Sequence, residues 1–304
     1  IPVFIDISLS NFNIDINLIK KSITKKTKAI MVAHTLGNPY DVKKIKKICD
    51  EFNIWLVQDS CDALGCEVDG KKLGFYGDIG SVSFYPAHHI TTGEGGAVFT
   101  NSMKLKRIAE SIRDWGRDCY CEPGKDNTCK KRYCWKLGKL PYGYDHKYTY
   151  THLGYNLKMT DMQASCGVAQ LKKLPKFIKA RRDNYNYLKK NLDFLKKDFF
   201  FCSETPNAKA SWFGFLINIK KTSMIKRNDI IEYLDKKKVA TRLLFGGNLT
   251  KQPYLINRKF KKYGSLKNTD FVMNNSFWIG IHPGLDKKKL DYVIKIFKEF
   301  YKKY

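Results

Sequence analysis

Hydrophobic positions in the first half of the chain alternate between short apolar runs and stretches with helical spacing. The predicted strands are residues 2–7, 29–33, 54–57, 81–85 and 96–100, and the predicted helices are residues 41–52 and 102–113. Apolar runs of this length are typical of buried strands, and apolar positions three or four residues apart are typical of helices. The alternation predicts βαβ units and an α/β fold with a largely parallel sheet.

The second half follows a different pattern. The predicted helices are residues 160–171, 175–195, 227–237 and 287–301, and the predicted strands are residues 212–219, 239–243 and 276–281. We therefore predict a boundary near residue 175, with a large domain over 1–175 and a small α+β domain over 176–304 that includes the connecting helix. Residues 114–158 form an insertion with little periodicity, and its many aromatic residues favour a functional loop over disorder.

Composition indicates a folded globular protein, since 43% of the 304 residues are hydrophobic and 14% are aromatic. The formal net charge is +27, but only nine basic residues are Arg. Lysines spread along amphipathic helices are more typical of solvated surfaces than of nucleic-acid recognition. We expect no nucleic-acid partner, although a basic surface attracts anionic ligands such as nucleotides.

The lengths of the apolar runs and the positions of the cysteines indicate where in the cell the protein is found. No apolar run approaches the roughly 20 residues of a membrane span, so we expect no membrane partner. The nine cysteines are an odd number, and four of them lie between Cys119 and Cys134. This pattern favours reduced thiols or a metal site over a disulfide framework, which predicts a cytoplasmic protein.

Two polar segments follow predicted strands and are candidates for chemistry. Asp59 comes directly after the strand at 54–57, where ligands bind in open α/β sheets, and a helix cap is the alternative role. His88 and His89 follow the strand at 81–85 and precede the glycine-rich segment 93–96. A histidine there can transfer protons near neutral pH, although such a pair is more often structural.

These segments carry a resemblance to a known family. Asp59-x-x-Asp62-x-x-Gly65, Ser83-Phe84-Tyr85-Pro86 and Gly93-Glu94-Gly95-Gly96 resemble the active-site motifs of the DegT/StrS-type sugar aminotransferases, vitamin B6 enzymes of aminotransferase fold type I. The resemblance implies that fold, with a large mixed or parallel-sheet domain and a small α+β domain. It also implies that roughly the first third of the large domain, with its phosphate-binding turn, precedes residue 1.

One position separates this chain from the aminotransferases of that family. His88 stands where they have the lysine that binds pyridoxal phosphate covalently, which resembles the deoxysugar dehydrase subgroup. The resemblance extends over essentially the whole chain, through segments 34–39, 113–119, 143–148, 154–158 and 247–253. It implies pyridoxamine 5′-phosphate (PMP, in exchange with PLP) as the cofactor and His88 as a general base, because an imidazole cannot replace the lysine but can move a proton.

Four cysteines provide a separate indication. Cys61, Cys119, Cys121 and Cys129 are separated by 57, one and seven residues. Structural zinc sites usually show paired CxxC motifs, which are absent, and spacing alone leaves free thiols as the commoner outcome. The spacing resembles the [2Fe-2S] ligand set of the dehydrase subgroup, with the nearby Cys134 as an alternative ligand.

The resemblance also assigns the other site residues and the partners. Asp59 matches the position that binds the cofactor's ring nitrogen, Ser83 a phosphate contact, and Asn248 a phosphate contact made across a homodimer. Asp62, Tyr85 and Phe213 match positions that distinguish dehydrases from aminotransferases. The resemblance implies that Asp62 and Tyr85 bind the cofactor and that Phe213 binds the substrate. The implied reaction removes the C3 hydroxyl of a CDP-linked 4-keto-6-deoxy sugar for 3,6-dideoxysugar and lipopolysaccharide synthesis. An NADH-dependent flavin/iron–sulfur reductase is the implied electron donor.

Two alternatives remain open from the sequence. The first is a cluster-free hydrolytic dehydrase or a sugar aminotransferase of the same fold. The second is a non-catalytic protein whose cysteines bind structural zinc. The nucleotide on the sugar and the final dideoxyhexose are not determined by any residue.

Overall fold

The computed structural model describes residues 1–122 and 124–303, which form two apolar cores. The helices are α1 (Ile16–Ser22), α2 (Val42–Glu51), α3 (Met103–Arg113), α4 (Asp161–Asn191), α5 (Arg227–Lys236), α6 (Lys267–Asn275) and α7 (Lys287–Tyr301). The strands are β1 (Val3–Phe4), β2 (Ala29–Ala33), β3 (Trp55–Asp59), β4 (Glu67–Val68), β5 (Lys71–Lys72), β6 (Ile79–Ser83), β7 (Gly96–Phe99), β8 (Phe199–Phe201), β9 (Ala208–Lys209), β10 (Gly214–Ile219), β11 (Thr241–Arg242), β12 (Lys261–Lys262) and β13 (Ser276–Gly280).

The first large sheet has the strand order β2-β3-β6-β7. β2, β3 and β6 are parallel, and β7 runs antiparallel at the edge. Helix α2 covers one face, because Ile45, Ile48 and Cys49 recur at helical spacing and are all buried. This arrangement confirms the predicted α/β pattern and brings the carboxyl ends of β3 and β6 to one edge.

The second large sheet has the order β11-β13-β10-β8 and is antiparallel throughout. Strand β10 pairs with β13 on one side and β8 on the other, and all of its residues are buried. Helices α4 to α7 contribute apolar residues to the same core, among them Leu188, Ile230, Phe271 and Phe297. The predicted α+β pattern of the second half is therefore present, while the boundary at residue 175 remains a prediction.

The prediction of two helices over 160–171 and 175–195 is wrong, because α4 runs without a break through Pro175. Proline removes one hydrogen bond and strains the preceding turn, which usually ends a helix. Here Leu174, Tyr185 and Leu188 are buried along the helix. Burial of this apolar face offsets the free-energy cost of Pro175 inside the helix. A capping box formed by Thr160 and Gln163 fixes the start of the helix.

Helix α6 is absent from the sequence prediction, and a distant residue explains its stability. The buried Asp6 carboxylate accepts hydrogen bonds from the backbone N–H groups of Asn268 and Thr269 and from the Thr269 hydroxyl. An acidic side chain at this place satisfies free N–H groups in the first turn of the helix. The stabilising residue lies more than 260 positions away, so no local pattern indicates it.

None of the helices in the described ranges combines the length and the apolarity that crossing a membrane requires.

Gly37 allows the chain segments around the site to approach each other. Its φ is +81°, and a Cβ atom there would lie 2.0 Å from the Ser211 carbonyl oxygen. We expect Gly37→Ala to lower the free energy of unfolding by about 3 kcal/mol, since it combines backbone strain with overpacking. Gly70→Ala is the matched control, because Gly70 also has a positive φ but has open space around it. Equal losses in urea unfolding of the two variants would contradict the close-approach explanation.

Candidate active site

Polar residues collect at the carboxyl edge of the parallel strands. Asp59 ends β3 and Ser83 ends the neighbouring strand β6, with Asp59 in register with Ser81. One Asp59 carboxylate oxygen accepts a hydrogen bond from the Cys61 backbone N–H at 3.0 Å. The Ser83 hydroxyl oxygen accepts from the Tyr85 N–H at 3.1 Å. The sequence placed Asp59 after a strand and Ser83 within one, and the structure ends both strands at these residues.

His88 lies in the turn that follows β6 and contacts several of the predicted site residues. Its Nε2 is 3.4 Å from the nearer Asp62 carboxylate oxygen. Its ring lies 5.4 Å from the ring of Phe213 and 6.0 Å from the ring of Tyr85, between centroids. Its Nδ1 is buried and has no hydrogen-bond partner among the described residues. A free ring nitrogen on a histidine that a carboxylate orients is the arrangement a general base requires.

Phe213 reaches this site because two segments distant in sequence pair with each other. The Phe213 N–H donates to the Leu36 carbonyl at 2.9 Å, and the Ser211 N–H donates to the Gly37 carbonyl at 3.1 Å. His89 donates from Nε2 to the Ser211 carbonyl at 2.8 Å. The segment before β10 is therefore held against the turn after β2, and the Phe213 ring is held beside His88.

The two adjacent histidines have different environments. His89 is 3% exposed, and burial lowers its pKa to about 3, so the ring stays neutral and holds the chain at Ser211. His88 is partly accessible and touches the site's carboxylate and aromatic rings. The arrangement favours a structural role for His89 and a chemical role for His88.

The residues around His88 fit a pyridoxamine phosphate molecule. The cofactor requires a carboxylate for its ring nitrogen, a base beside its reactive carbon and polar groups for its phosphate. Asp59 and His88 supply the first two at one sheet edge, and Ser83 adds a hydroxyl there. The buried unpartnered Nδ1 of His88 is the specific observation that favours an occupant at this place.

Asn248 lies apart from this group. Its side-chain N–H donates to the Asp270 carboxylate at 2.7 Å, and its side-chain oxygen accepts from the N–H and the hydroxyl of Thr250. Asn248 is 2% exposed, so these contacts use the amide within its own subunit. Its contact with a phosphate across a homodimer remains a prediction.

Three of the four predicted cluster ligands come together in the insertion. Cys119, Cys121 and Cys129 line one small cavity with Arg132 and His146. Hydrogen bonds from the Thr128 hydroxyl and the Cys129 N–H lower the pKa of Cys121 to about 7. A thiol with this pKa is partly ionised near neutral pH, and the thiolate is the form that binds metal ions. Three thiols are donors of the kind that iron–sulfur groups use, although burial raises the pKa of Cys119.

Cys61, the fourth predicted ligand, lies at the sheet edge instead. Burial, together with the hydrogen bond to Asp59, raises the pKa of Cys61 to about 12, so its thiol is protonated. Cys134 is exposed. Across residues 1–122 and 124–303, no three His, Cys, Asp or Glu side chains are arranged to hold a metal ion.

The sequence analysis did not identify Arg181, which the structure places in contact with Phe213. Arg181 is 3% exposed and donates from Nη1 to the Phe213 carbonyl at 3.0 Å. A signal was present, since Arg181 follows Leu174 by seven positions and precedes Tyr185 by four, on the buried face of α4. A cation on an apolar helix face indicates a role in the interior.

Comparison with known proteins matches the chain to one family. Residues 1–298 match the family model described as the DegT/DnrJ/EryC1/StrS aminotransferase family. Lipopolysaccharide biosynthesis protein RfbH of Salmonella typhimurium is 55% identical over 301 residues, which cover 99% of this chain and 69% of that protein. A dTDP-4-dehydro-2,6-dideoxy-D-glucose 3-dehydratase of Saccharopolyspora spinosa is 47% identical over 99% of this chain and 65% of its own length.

A solved structure agrees with the sequence comparison. The E. coli GDP-4-keto-6-deoxy-D-mannose-3-dehydratase with bound hydrated PLP superimposes with a TM-score of 0.83 and 29% identity, covering 96% of this chain and 73% of that one. An aminotransferase from Psychrobacter cryohalolentis superimposes with a TM-score of 0.84 at 22% identity, which supports the fold alone. Both confirm the predicted aminotransferase fold type I. The chain belongs to the DegT/DnrJ/EryC1/StrS aminotransferase family.

Proposed function

We propose that this protein is a pyridoxamine phosphate-dependent 3-dehydrase that acts on a nucleotide-linked 4-keto-6-deoxy sugar. Membership of the family indicates vitamin B6 chemistry in deoxysugar biosynthesis. The observation that carries the proposal is His88, a histidine with a free Nδ1 beside Asp62 where the family's aminotransferases have a lysine. Two of the relatives have names that describe 3-dehydratases, which supports the same reaction.

Each site residue has a role in this reaction. The bound cofactor supplies an electron sink next to the sugar's C4. Asp59 would hydrogen-bond the cofactor's ring nitrogen and keep a proton there. His88 would accept a proton at Nδ1 from the cofactor's 4′ carbon as the C3 hydroxyl leaves as hydroxide, while Asp62 orients the ring through Nε2. Phe213 and Tyr85 flank the His88 ring and limit the access of water.

The nucleotide of the substrate is a separate part of the proposal. The resemblance favours CDP, whereas the names of two relatives specify dTDP and GDP sugars. We retain CDP as the proposal, since the resemblance rests on motifs along the whole chain, and a comparison of the three nucleotide sugars tests it. The similarity to RfbH supports a place in lipopolysaccharide biosynthesis. The cytoplasm is the proposed compartment, because the cysteine pattern favours reduced thiols.

We also propose a [2Fe-2S] cluster bound by Cys61, Cys119, Cys121 and Cys129. The shared cavity of three of these thiols and the low pKa of Cys121 support it. Cys61 would have to lose its proton and move toward the others, and metal binding supplies the free energy for both changes. Such a cluster transfers single electrons, which makes an NADH-dependent flavin/iron–sulfur reductase the proposed partner. A homodimer, with Asn248 reaching the other subunit's cofactor, completes the proposal.

Iron analysis tests the cluster. We expect about two irons and two acid-labile sulfides per chain in anaerobically prepared protein, with a paramagnetic signal after reduction. Cys119→Ser should lose the signal and most of the iron, because it removes one thiolate. Cys166→Ser is the matched control, since Cys166 is an exposed thiol on α4. Zinc in place of iron, or no metal after reconstitution, would contradict the cluster and favour a cluster-free dehydrase or a zinc-stabilised protein.

A further inference from the structure

Arg181 is a buried cation that forms no ion pair with the residues that the structure describes. The residue is 3% exposed, and among residues 1–122 and 124–303 no carboxylate oxygen lies within 4.0 Å of its guanidinium nitrogens. Its Nε is buried and has no hydrogen-bond partner among those residues. Burial lowers the pKa of Arg181 to about 10, which still leaves it charged at neutral pH. A buried charge without a partner destabilises the fold, so stability alone does not explain the residue.

The groups around Arg181 are those that contact His88. Its Nη1 donates to the Phe213 carbonyl at 3.0 Å, and its guanidinium carbon lies 5.6 Å from the Phe213 ring centroid. The Asp62 carboxylate is the anion whose charge acts on the guanidinium. Asp62 and Phe213 are also the carboxylate and the buried ring that touch His88. One cation therefore acts on two groups that touch the base.

We propose that Arg181 is a positioning residue that fixes the orientation of His88 through Asp62 and Phe213. Its positive charge attracts the Asp62 carboxylate, and its N–H group holds the backbone that carries the Phe213 ring. His88 is then bounded on two sides by groups anchored to the same helix, α4. The inference rests on the proposed function insofar as His88 is the catalytic base, but the anchoring itself is a property of the protein alone.

Arg182, the next residue of α4, makes contacts that are typical of a structural arginine. Arg182 donates to the Glu204 carboxylate at 3.1 Å and to the Ala210 carbonyl, and it makes an ordinary ion pair. Arg182 points toward a different part of the molecule and touches neither Asp62 nor Phe213 in any contact of the described residues. It serves as the matched control.

The test compares Arg181→Met and Arg181→Lys with Arg182→Lys. Met keeps the length of the side chain but removes the charge, whereas Lys keeps the charge and loses the planar fork. We expect Arg181→Met to lower kcat about 100-fold with KM and cofactor affinity changed less than threefold, because a misplaced base affects the chemical step. Arg181→Lys should fall between it and the wild type. Arg182→Lys should change kcat less than threefold.

Two further measurements separate positioning from loss of folding. Urea unfolding should give Arg181→Met a midpoint close to that of the wild type, because removal of the buried charge offsets the loss of the hydrogen bond to the Phe213 carbonyl. The ring-nitrogen NMR signals of His88, assigned among six histidines with His88→Asn, should shift in Arg181→Met and stay unchanged in Arg182→Lys. Unchanged His88 signals in Arg181→Met would overturn the inference, as would a fall in kcat that simply follows a fall in stability. A wild-type protein that converts no sugar would refute the proposed function, while the NMR comparison would still decide the anchoring.

Discussion

Replacing His88 by Asn should lower the rate of sugar dehydration about 1,000-fold, because positioned general acid–base catalysis contributes about 10² to 10⁴ in rate. Asn has a similar size and polarity, so it preserves the contacts with Asp62 and Phe213 better than Ala would. Cofactor affinity should change little, since His88 does not bind the cofactor covalently. The rate is measured by mass spectrometry of the sugar, with cofactor binding followed by absorbance.

His152→Asn is the control for this substitution. His152 is exposed in the insertion and hydrogen-bonds to the hydroxyls of Ser111 and Thr151, away from the site. It should retain wild-type activity. Comparable rates for His88→Asn and the wild type would show that another group removes the proton, and the assignment of His88 as the base would be wrong.

Replacing Asp59 by Asn should be about as damaging. A unit charge 4 Å from the protonated ring nitrogen is worth about 4 kcal/mol at the effective dielectric constant of a protein site. Its loss from the transition state corresponds to a rate about 1,000-fold lower. The fold should survive, because an Asn oxygen can still accept the hydrogen bond from the Cys61 N–H. Turnover and the ultraviolet spectrum of the bound cofactor are the measurements.

Asp69→Asn controls for the general loss of a carboxylate. Asp69 pairs with Lys43 at the surface, and exposed pairs of this kind contribute little. If Asp59→Asn kept wild-type turnover, Asp59 would be structural, in agreement with the helix-cap alternative that the sequence left open.

The sequence predicted the fold best at the strands that end at the candidate site, because their apolar runs are local patterns. The apolar run at 54–57 predicted a strand, and the observed strand β3 ends at Asp59. The candidate site lies at the carboxyl end of this strand, where the sequence predicted it. The strand predicted at 81–85 lies two residues earlier, at Ile79–Ser83, so Tyr85 belongs to the turn and is exposed beside His88. Boundaries of short strands depend on pairing partners, which a single sequence does not display.

Other features depend on contacts between distant residues. Asp6 stabilises α6, Leu36 binds Phe213, and Arg181 binds the same residue from α4. Helical spacing places Arg181 on the buried face of α4, but no window of sequence indicates the partner residue in any of these three contacts. The resemblance in cysteine spacing implied four ligands, and the structure groups three of them while it leaves Cys61 beside Asp59. Spacing along the chain does not specify distance in space.

The central claim is that this site removes the C3 hydroxyl of a nucleotide-linked 4-keto-6-deoxy sugar. Dehydration is reversible without a reductase, so the protein with pyridoxamine phosphate in H₂¹⁸O should exchange the C3 oxygen of the sugar. The account predicts that mass spectrometry shows one ¹⁸O in recovered CDP-linked sugar, beyond the readily exchanged keto oxygen, and that His88→Asn abolishes it. Transfer of an amino group to C4 with no ¹⁸O at C3 would contradict the claim and identify an aminotransferase.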